Sequence, residues 1–220
     1  MGKEHMRPFY WVAKTATYIF FKVFYRISAT GYENLPKSGG YIVASNHASQ
    51  LDPPAIGSIF PGEMAFFAKK ELFSFPLLRW FLTYAGSIPV DRKGYSAGAV
   101  REIIKALRSG KRALFFPEGT RTRTGDFLKP KKGVGMVALA SKVPVVPCWI
   151  EGSYHAKPFR SKITVHFLEP FDPCGIEADE KKEQYLLVSE RIMHDIIRLH
   201  DMHRGRVIEA ESTNKGGTLL

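Results

Sequence analysis

The chain has 220 residues, of which 45% are hydrophobic and 24% charged, a composition typical of a globular protein with one buried core. Its 32 Lys and Arg exceed its 21 Asp and Glu by a net charge of +11, which predicts an anionic partner: nucleic acid, acidic lipid headgroups or a phosphorylated substrate. The two cysteines, Cys148 and Cys174, have neither the pattern of a disulfide framework nor metal-ligand spacing. A reducing compartment is therefore the simpler interpretation.

Residues 10–27 predict an amphipathic helix. At about 100° per residue, Lys14, Lys22 and Arg26 share one sector and apolar side chains fill a broad opposite arc. The three cations leave no uncharged run of the roughly 20 residues that a spanning helix needs, and no signal-peptide cleavage pattern is present. Such a helix suits a lipid headgroup layer. The alternative is a helix that docks on the core of its own domain.

After Gly31, short apolar runs alternate with helical patterns. Six runs predict strands, at 41–45, 64–68, 87–90, 113–116, 145–150 and 163–167. Amphipathic helices are predicted between Ser96 and Gly110 and over 181–200. This alternation indicates an α/β fold, with a mixed, mostly parallel sheet flanked by helices.

The first candidate for catalysis is a histidine followed by a carboxylate, His47 and Asp52, directly after a predicted strand. On a helix, positions five apart point about 140° away from each other, so the pair needs a loop. Pro53 and Pro54 disfavour helical geometry at Asp52 and let the segment curl back. A carboxylate that orients an imidazole suits general-base catalysis on a hydroxyl. The alternative is a helix-capping Asp beside a surface His.

The second candidate segment is 116–121, which follows another predicted strand. Strand ends in α/β sheets are where ligands bind. Gly119 can bring backbone N–H groups close to an anion and Arg121 adds a bidentate fork, which together suit a phosphate. A turn with a solvated arginine is the alternative. Two further segments, 86–92 and 143–147, each indicate strand structure when taken singly.

Taken in chain order, the segments 46–52, 86–92, 116–121 and 143–147 resemble the four motif blocks of the glycerolipid acyltransferase family. The likeness is to the bacterial 1-acylglycerol-3-phosphate acyltransferases and covers roughly residues 31–152. Joint occurrence in order is more specific than any single block. The resemblance implies transfer of a fatty acyl group from a thioester donor, acyl-CoA or acyl-carrier protein, to the 2-hydroxyl of 1-acylglycerol 3-phosphate, which gives phosphatidate.

The resemblance also assigns roles to individual residues. His47 would deprotonate the acceptor hydroxyl, Asp52 would orient His47, and backbone N–H groups near their loop would stabilise the oxyanion. The substrate phosphate site would comprise Lys69, Arg92, Glu118, Gly119 and Arg121. No bound cofactor or metal is expected. Because neither cysteine has an activating histidine beside it in the sequence, direct transfer is favoured over an acyl-enzyme.

On this basis we expect three parts: a membrane-associating segment over 1–30, an acyltransferase domain over 31–204 and a disordered tail over 205–220. The N-terminal helix predicts peripheral association with the cytoplasmic face of the membrane. The alternatives are the same chemistry on another lyso-lipid or on glycerol 3-phosphate, and a non-catalytic basic protein that binds membrane or nucleic acid. Nucleic acid is not an expected partner, since the sequence has no recognised RNA- or DNA-binding motif.

Overall fold

The computed structural model describes residues 8–75, 79, 87–90 and 97–215. In chain order the elements are α1 Pro8–Tyr25, β1 Ser28–Thr30, β2 Tyr41–Ser45, α2 Asp52–Ile59, β3 Phe66–Lys69, β4 Ser87–Val90, α3 Ala97–Arg108, β5 Arg112–Phe115, α4 Lys132–Ser141, β6 Val145–Glu151, β7 Thr164–Phe167 and α5 Lys181–Lys215. All six strands predicted from apolar runs are present. The sequence did not predict β1, α2 or α4.

Five strands form the central sheet, in the order β1–β7–β6–β2–β5. Neighbouring strands are parallel except β6 and β7. Strands β3 and β4 pair in parallel and adjoin β5 through a parallel bridge between Ala65 and Ala113. The predicted α/β fold with a mixed, mostly parallel sheet is confirmed. Because β2, β5 and β6 run in parallel, their carboxyl ends meet at one edge, the edge that binds ligands in open α/β sheets.

Helices cover both faces of this sheet, because successive strand side chains point to opposite sides. Tyr41 and Val43 of β2 face a core shared with α1 and α2. Ile42 and Ala44 face a second core shared with α3, α4 and α5. Helix α4 lies so close to α5 that a Cβ on Gly135 would come within 2.0 Å of the carbonyl oxygen of Tyr185. Only glycine permits this approach.

The two consecutive prolines have a different effect from the one predicted. Asp52 is the first residue of α2, and Pro53 and Pro54 stand in the first turn. A proline is tolerated there because the amides of the first turn have no partner within the helix. The expectation that the prolines keep Asp52 out of a helix is therefore wrong, and the chain instead turns back between His47 and Leu51.

Helix α1 forms where the sequence predicts it and packs on the protein through Tyr10, Phe21 and Tyr25, which are buried. Lys14 lies on this inner side, where its ammonium group donates hydrogen bonds to the carbonyls of Phe60 and Gly62. Burial lowers the pKa of Lys14 to about 8. The alternative of docking on the domain's own core therefore holds for this side of the helix.

The opposite side of α1 is an apolar stripe that consists of Val12, Ile19, Phe20 and Val23, between 43% and 63% exposed. Their positions fall within an arc of about 100° that points away from Phe21. None of the helices in the described ranges is both long and apolar enough to cross a bilayer. One side of α1 thus packs on the core of the protein, and the other side exposes apolar side chains to the surroundings.

At the other end of the chain, α5 continues to Lys215, beyond the predicted helix at 181–200 and into the segment predicted as a tail. Residues 216–220 of that segment lie outside the described residues. The division of the chain into three parts stays a prediction. Both cysteines are free, with Cys148 buried and Cys174 exposed.

Candidate active site

The predicted pair of His47 and Asp52 forms at the carboxyl end of β2. Nδ1 of His47 lies 2.9 Å from Oδ2 of Asp52. The Asp52 side chain is fully buried, whereas the imidazole is 16% exposed. Oδ2 also accepts hydrogen bonds of 2.7 Å from the N–H groups of Ala48 and Ser49. Three donors on one oxygen fix the carboxylate, which favours the tautomer with its proton on Nδ1.

The other ring nitrogen of His47, Nε2, makes no hydrogen bond to any residue that the structure describes. The imidazole stacks on the ring of Phe116, with centroids 3.9 Å apart and planes at 18°. The ring of Phe116 on one side and the carboxylate of Asp52 on another fix the orientation of the imidazole, in which Nε2 has no partner among the described residues and can accept a proton. This is the arrangement that general-base catalysis requires.

The segment after β5 holds the backbone of His47. Glu118 accepts a hydrogen bond from the N–H of His47 through Oε1, at 2.8 Å, and one from the N–H of Leu128 through Oε2, at 3.1 Å. The N–H of Thr122 donates to the carbonyl of His47 at 2.9 Å. The segment after β5 is therefore hydrogen-bonded directly to the segment after β2 that contains His47.

Glu118 itself is 1% exposed, and burial raises the pKa of its carboxyl group while its two backbone hydrogen bonds oppose that rise. Both oxygens face the protein backbone. A carboxylate offers a phosphate only acceptors and like charge. The geometry favours a role in positioning His47 over the phosphate contact predicted for Glu118.

Asn46 ties the end of β2 to β6. Its amide nitrogen donates to the carbonyl of Ile150 at 3.1 Å, and its amide oxygen accepts from the N–H of Ile150 at 2.9 Å. This closes the gap where regular pairing of the strands ends, and so fixes the direction in which the chain leaves β2 towards His47. Sequence analysis gave Asn46 no role, because the partner lies on a distant strand.

The predicted phosphate-binding residues Gly119 and Arg121 lie at the same edge, and both are exposed. Gly119 has a φ of 65°, the left-handed conformation that favours glycine. A Cβ there would lie 2.9 Å from Cδ and 3.4 Å from Nζ of Lys131. Lys131 therefore crosses over Gly119 and adds a cation that the sequence analysis missed, because nothing but its charge marks it.

The side chains of two predicted phosphate ligands, Lys69 and Arg92, lie outside the part of the chain that the structure describes. Lys69 is the last residue of β3, and its side chain is outside the described part of the structure. Arg92 lies outside the described residues. Since β3 pairs in parallel with β4 and bridges in parallel to β5, Lys69 ends its strand at the edge that carries His47.

Comparison with known proteins agrees with this geometry. A family model described as Acyltransferase matches residues 26–151. The chain is 29% identical over 172 residues to the 1-acyl-sn-glycerol-3-phosphate acyltransferase of Bacillus subtilis (strain 168), covering 77% of this chain and 85% of that protein. It is 33% identical over 181 residues to the Limnanthes douglasii enzyme of the same name, covering 77% of this chain and 61% of that protein.

A solved structure is similar over most of the chain. The crystal structure of PlsC, the 1-acyl-sn-glycerophosphate (LPA) acyltransferase of Thermotoga maritima, matches with a TM-score of 0.67 at 32% identity, covering 86% of this chain and 78% of that one. The family match includes His47, Asp52 and the segment 116–121. It also spans more than half of the 220 residues. As the four motif blocks predict, the chain belongs to the acyltransferase family.

Proposed function

We propose that the protein transfers a fatty acyl group from a thioester donor to the 2-hydroxyl of 1-acylglycerol 3-phosphate and so forms phosphatidate. The observation that carries the proposal is the hydrogen-bonded pair of His47 and Asp52 with Nε2 directed outward. The acceptor is inferred from relatives that are named 1-acyl-sn-glycerol-3-phosphate acyltransferases.

In this mechanism Nε2 of His47 takes the proton from the 2-hydroxyl as its oxygen attacks the thioester carbonyl. The buried carboxylate of Asp52 stabilises the imidazolium that forms. The tetrahedral intermediate then collapses, the C–S bond breaks, and the thiolate takes the proton back from Nε2. The products are phosphatidate and the free thiol of the donor, coenzyme A or acyl-carrier protein. No covalent acyl-enzyme is needed.

The oxyanion of that intermediate needs hydrogen-bond donors, and three backbone N–H groups of the His47 loop are already engaged. The N–H of His47 donates to Glu118, and the N–H groups of Ala48 and Ser49 donate to Asp52. They hold the dyad in place instead of facing a substrate. The donors are therefore N–H groups other than these three, and the expectation that backbone N–H groups near the His47 loop supply them stays a prediction.

For the acceptor phosphate, we propose a site formed by Gly119 and Arg121 together with Lys131, with Lys69 and Arg92 as further cations. Arg121 and Lys131 are exposed and available to a dianion. The N–H of Gly119 donates to the carbonyl of Phe116 at 3.0 Å, so Gly119 contributes the turn that brings Lys131 over the segment. Glu118 belongs to the support of this segment. The site lies beside His47, as transfer to a hydroxyl near the phosphate requires.

We also propose that the protein is peripheral to the membrane, at its cytoplasmic face, and contacts lipid through the exposed apolar stripe of α1. Amphipathic helices with an apolar face and flanking cations bind at the bilayer interface. Lys22 and Arg26 are exposed beside the stripe. The cytoplasmic face is proposed because both cysteines are free thiols, as is usual in a reducing compartment.

The decisive experiment incubates purified protein with lysophosphatidate and either acyl-CoA or acyl-carrier protein, and measures phosphatidate by mass spectrometry. We expect His47→Ala to lower turnover by about 10³-fold or more. His194→Ala, at a histidine that is 72% exposed on α5, is the matched control and retains turnover. Full activity of His47→Ala would refute the base assignment. Product formed only from another lyso-lipid or from glycerol 3-phosphate would change the acceptor.

A further inference from the structure

Phe159, in the loop that joins β6 to β7, is a large apolar side chain in an unusual position. It is 66% exposed and has a φ of 63°, a left-handed conformation that non-glycine residues rarely adopt. Such strain persists only where the surroundings enforce it, and it concentrates at functional positions. Holding this aromatic ring at the surface therefore costs the fold some stability.

The end of α1 holds the loop in this conformation. The N–H of Phe159 donates to the carbonyl of Phe24 at 2.6 Å, and the two rings lie 4.8 Å apart. The guanidinium of Arg26 donates to the carbonyl of Arg160 at 2.6 Å. The ring of Phe159 is thus fixed to the helix that carries the apolar stripe, and helix and loop form one surface.

Charge on this surface has a single sign. Residues 8–31 and 152–163 contain six Lys and Arg and no Asp or Glu. Lys157, Arg160 and Lys162 in the loop are all exposed, as are Lys22 and Arg26 at the end of α1. An exposed apolar patch flanked by the cations of its own helix and loop matches a surface that is apolar inside and anionic at its headgroups.

The topology places this surface at the active-site edge of the sheet. Ser45, the last residue of β2 before the His47 loop, pairs with Cys148 of β6. Three residues further along β6, Glu151 pairs with the first residue of β7, Thr164, which in turn pairs with the first residue of β1, Ser28. The loop and the end of α1 therefore lie at the edge where β2 delivers His47.

We propose that the 152–163 loop, through Phe159, is a second membrane-contacting element that acts with the apolar stripe of α1 to seat the active-site edge on an anionic bilayer. The inference rests on the proposed function only in that the acceptor is a lipid. An acceptor with one acyl chain stays in the bilayer, and this orientation brings His47 to it. A second copy of the chain is disfavoured as the occupant, because the exposed cations of two such surfaces would repel each other.

Vesicle co-sedimentation tests the proposal, with phosphatidylcholine vesicles that contain or lack phosphatidylglycerol. The variant is Phe159→Asn, because asparagine tolerates the left-handed conformation. We expect it to weaken partitioning about tenfold, the lower end for burying a phenyl group. The matched control is Leu187→Asn, at a leucine that is 37% exposed on α5, across the sheet from α1, and it leaves partitioning unchanged.

A second variant addresses the cations. Lys157→Gln combined with Arg160→Gln is expected to weaken binding about fivefold per charge to vesicles with phosphatidylglycerol, and not to pure phosphatidylcholine. Circular dichroism confirms that each variant is folded. Unchanged partitioning of Phe159→Asn would overturn the proposal. The proposal would also fail if Phe159→Asn converted a dimer to a monomer without weakening vesicle binding, because the surface would then be an interface between two copies of the chain.

Failure of this inference is distinguishable from failure of the proposed function. Turnover with a short-chain, water-soluble lysophosphatidate reports on catalysis without a membrane. We expect Phe159→Asn to keep that turnover and to lose activity only on vesicle-bound acceptor. Equal loss on both acceptors would show that the loop serves the catalytic site directly and would overturn the membrane role.

Discussion

Two histidines in this molecule, His47 and His166, have the same kinds of neighbours. They differ in which partner is buried and in how many ring nitrogens form hydrogen bonds. Each imidazole lies beside a carboxylate and stacks on an aromatic ring: His47 on Phe116, and His166 on Trp149 with centroids 5.0 Å apart and planes at 19°. For His47 the carboxylate of Asp52 is fully buried and the imidazole is 16% exposed. For His166 the imidazole is 5% exposed and its partner, Glu151, is 42% exposed.

The hydrogen bonds explain why only one of the two suits catalysis. Both ring nitrogens of His166 are engaged, Nδ1 with the hydroxyl of Thr30 at 2.8 Å and Nε2 with Glu151 at 3.4 Å. Among the residues that the structure describes, His47 forms a hydrogen bond through Nδ1 alone. A general base needs one ring nitrogen held in place and the other available to take a proton. Both histidines have a carboxylate beside them, so the number of hydrogen-bonded ring nitrogens decides which of them can act as a base.

The largest expected effect that tests this comparison comes from Asp52→Asn. Asparagine can keep its amide oxygen on Nδ1 of His47 and on the N–H groups of Ala48 and Ser49, but it has no negative charge to stabilise the imidazolium that forms. We therefore expect kcat for phosphatidate formation to fall about 10²- to 10⁴-fold. The control is Asp201→Asn, at a carboxylate that is 68% exposed beside His200. A loss of less than about tenfold would mean that Asp52 only holds the backbone of Ala48 and Ser49 and does not orient the base.

Glu118→Gln is expected to have the next largest effect. The amide can satisfy one of the two backbone N–H groups, of His47 or Leu128, but presents a donor to the other. Loss of one charge-assisted hydrogen bond, about 1.5–3 kcal/mol, should loosen the His47 loop and lower kcat roughly 10- to 100-fold. KM for lysophosphatidate should change little. A raised KM with unchanged kcat would instead support the phosphate contact. Glu169→Gln, at an exposed loop carboxylate, is the control.

Much of the fold and the His47–Asp52 pair could be predicted from local sequence. Apolar runs between turn residues placed β2 and β4 with the bounds that the structure has, at Tyr41–Ser45 and Ser87–Val90. The pair was predicted from a five-residue spacing after a strand. These features depend on neighbours in the chain, which the sequence displays.

What could not be predicted depends on partners far along the chain. Helix α4 buries Val134, Val137, Ala138 and Ser141 between the sheet and α5, so no polar face marks it as amphipathic. The role of Asn46 depends on Ile150, and the place of Lys131 on the turn at Gly119. The prolines after Asp52 were misjudged because helix termini and helix interiors tolerate proline differently.

His166→Phe should affect stability and leave catalysis intact, which sharpens the contrast with His47. Phenylalanine keeps the stacking on Trp149 but leaves the hydroxyl of Thr30 without its partner. Because Thr30 is exposed and water can replace its partner, we expect a loss of about 0.5–1.5 kcal/mol in the free energy of unfolding, measured from urea denaturation, with kcat per folded molecule within about twofold. A kcat loss as large as that of Asp52→Asn would refute the structural role of this histidine.

The smallest expected effect is the pH dependence of Glu151→Gln. The hydrogen bond to His166 holds the pKa of Glu151 below its ordinary value of 4.5 in the folded protein. A lowered carboxyl pKa stabilises the fold above the unfolded-state pKa and loses that effect as the pH falls through the folded-state value. Because the carboxylate is 42% exposed, the contribution is at most about 1 kcal/mol.

Urea denaturation of the wild type and Glu151→Gln, near neutral pH and again well below pH 4.5, measures this difference. The wild type should be the more stable near neutrality, and the two proteins should converge in acid. A gap that widens in acid would mean that the carboxylate is stabilising in its protonated form. His166 would then be held by Thr30 and by the rings of Trp149 and His203, and its likeness to His47 would be reduced to the stacked ring.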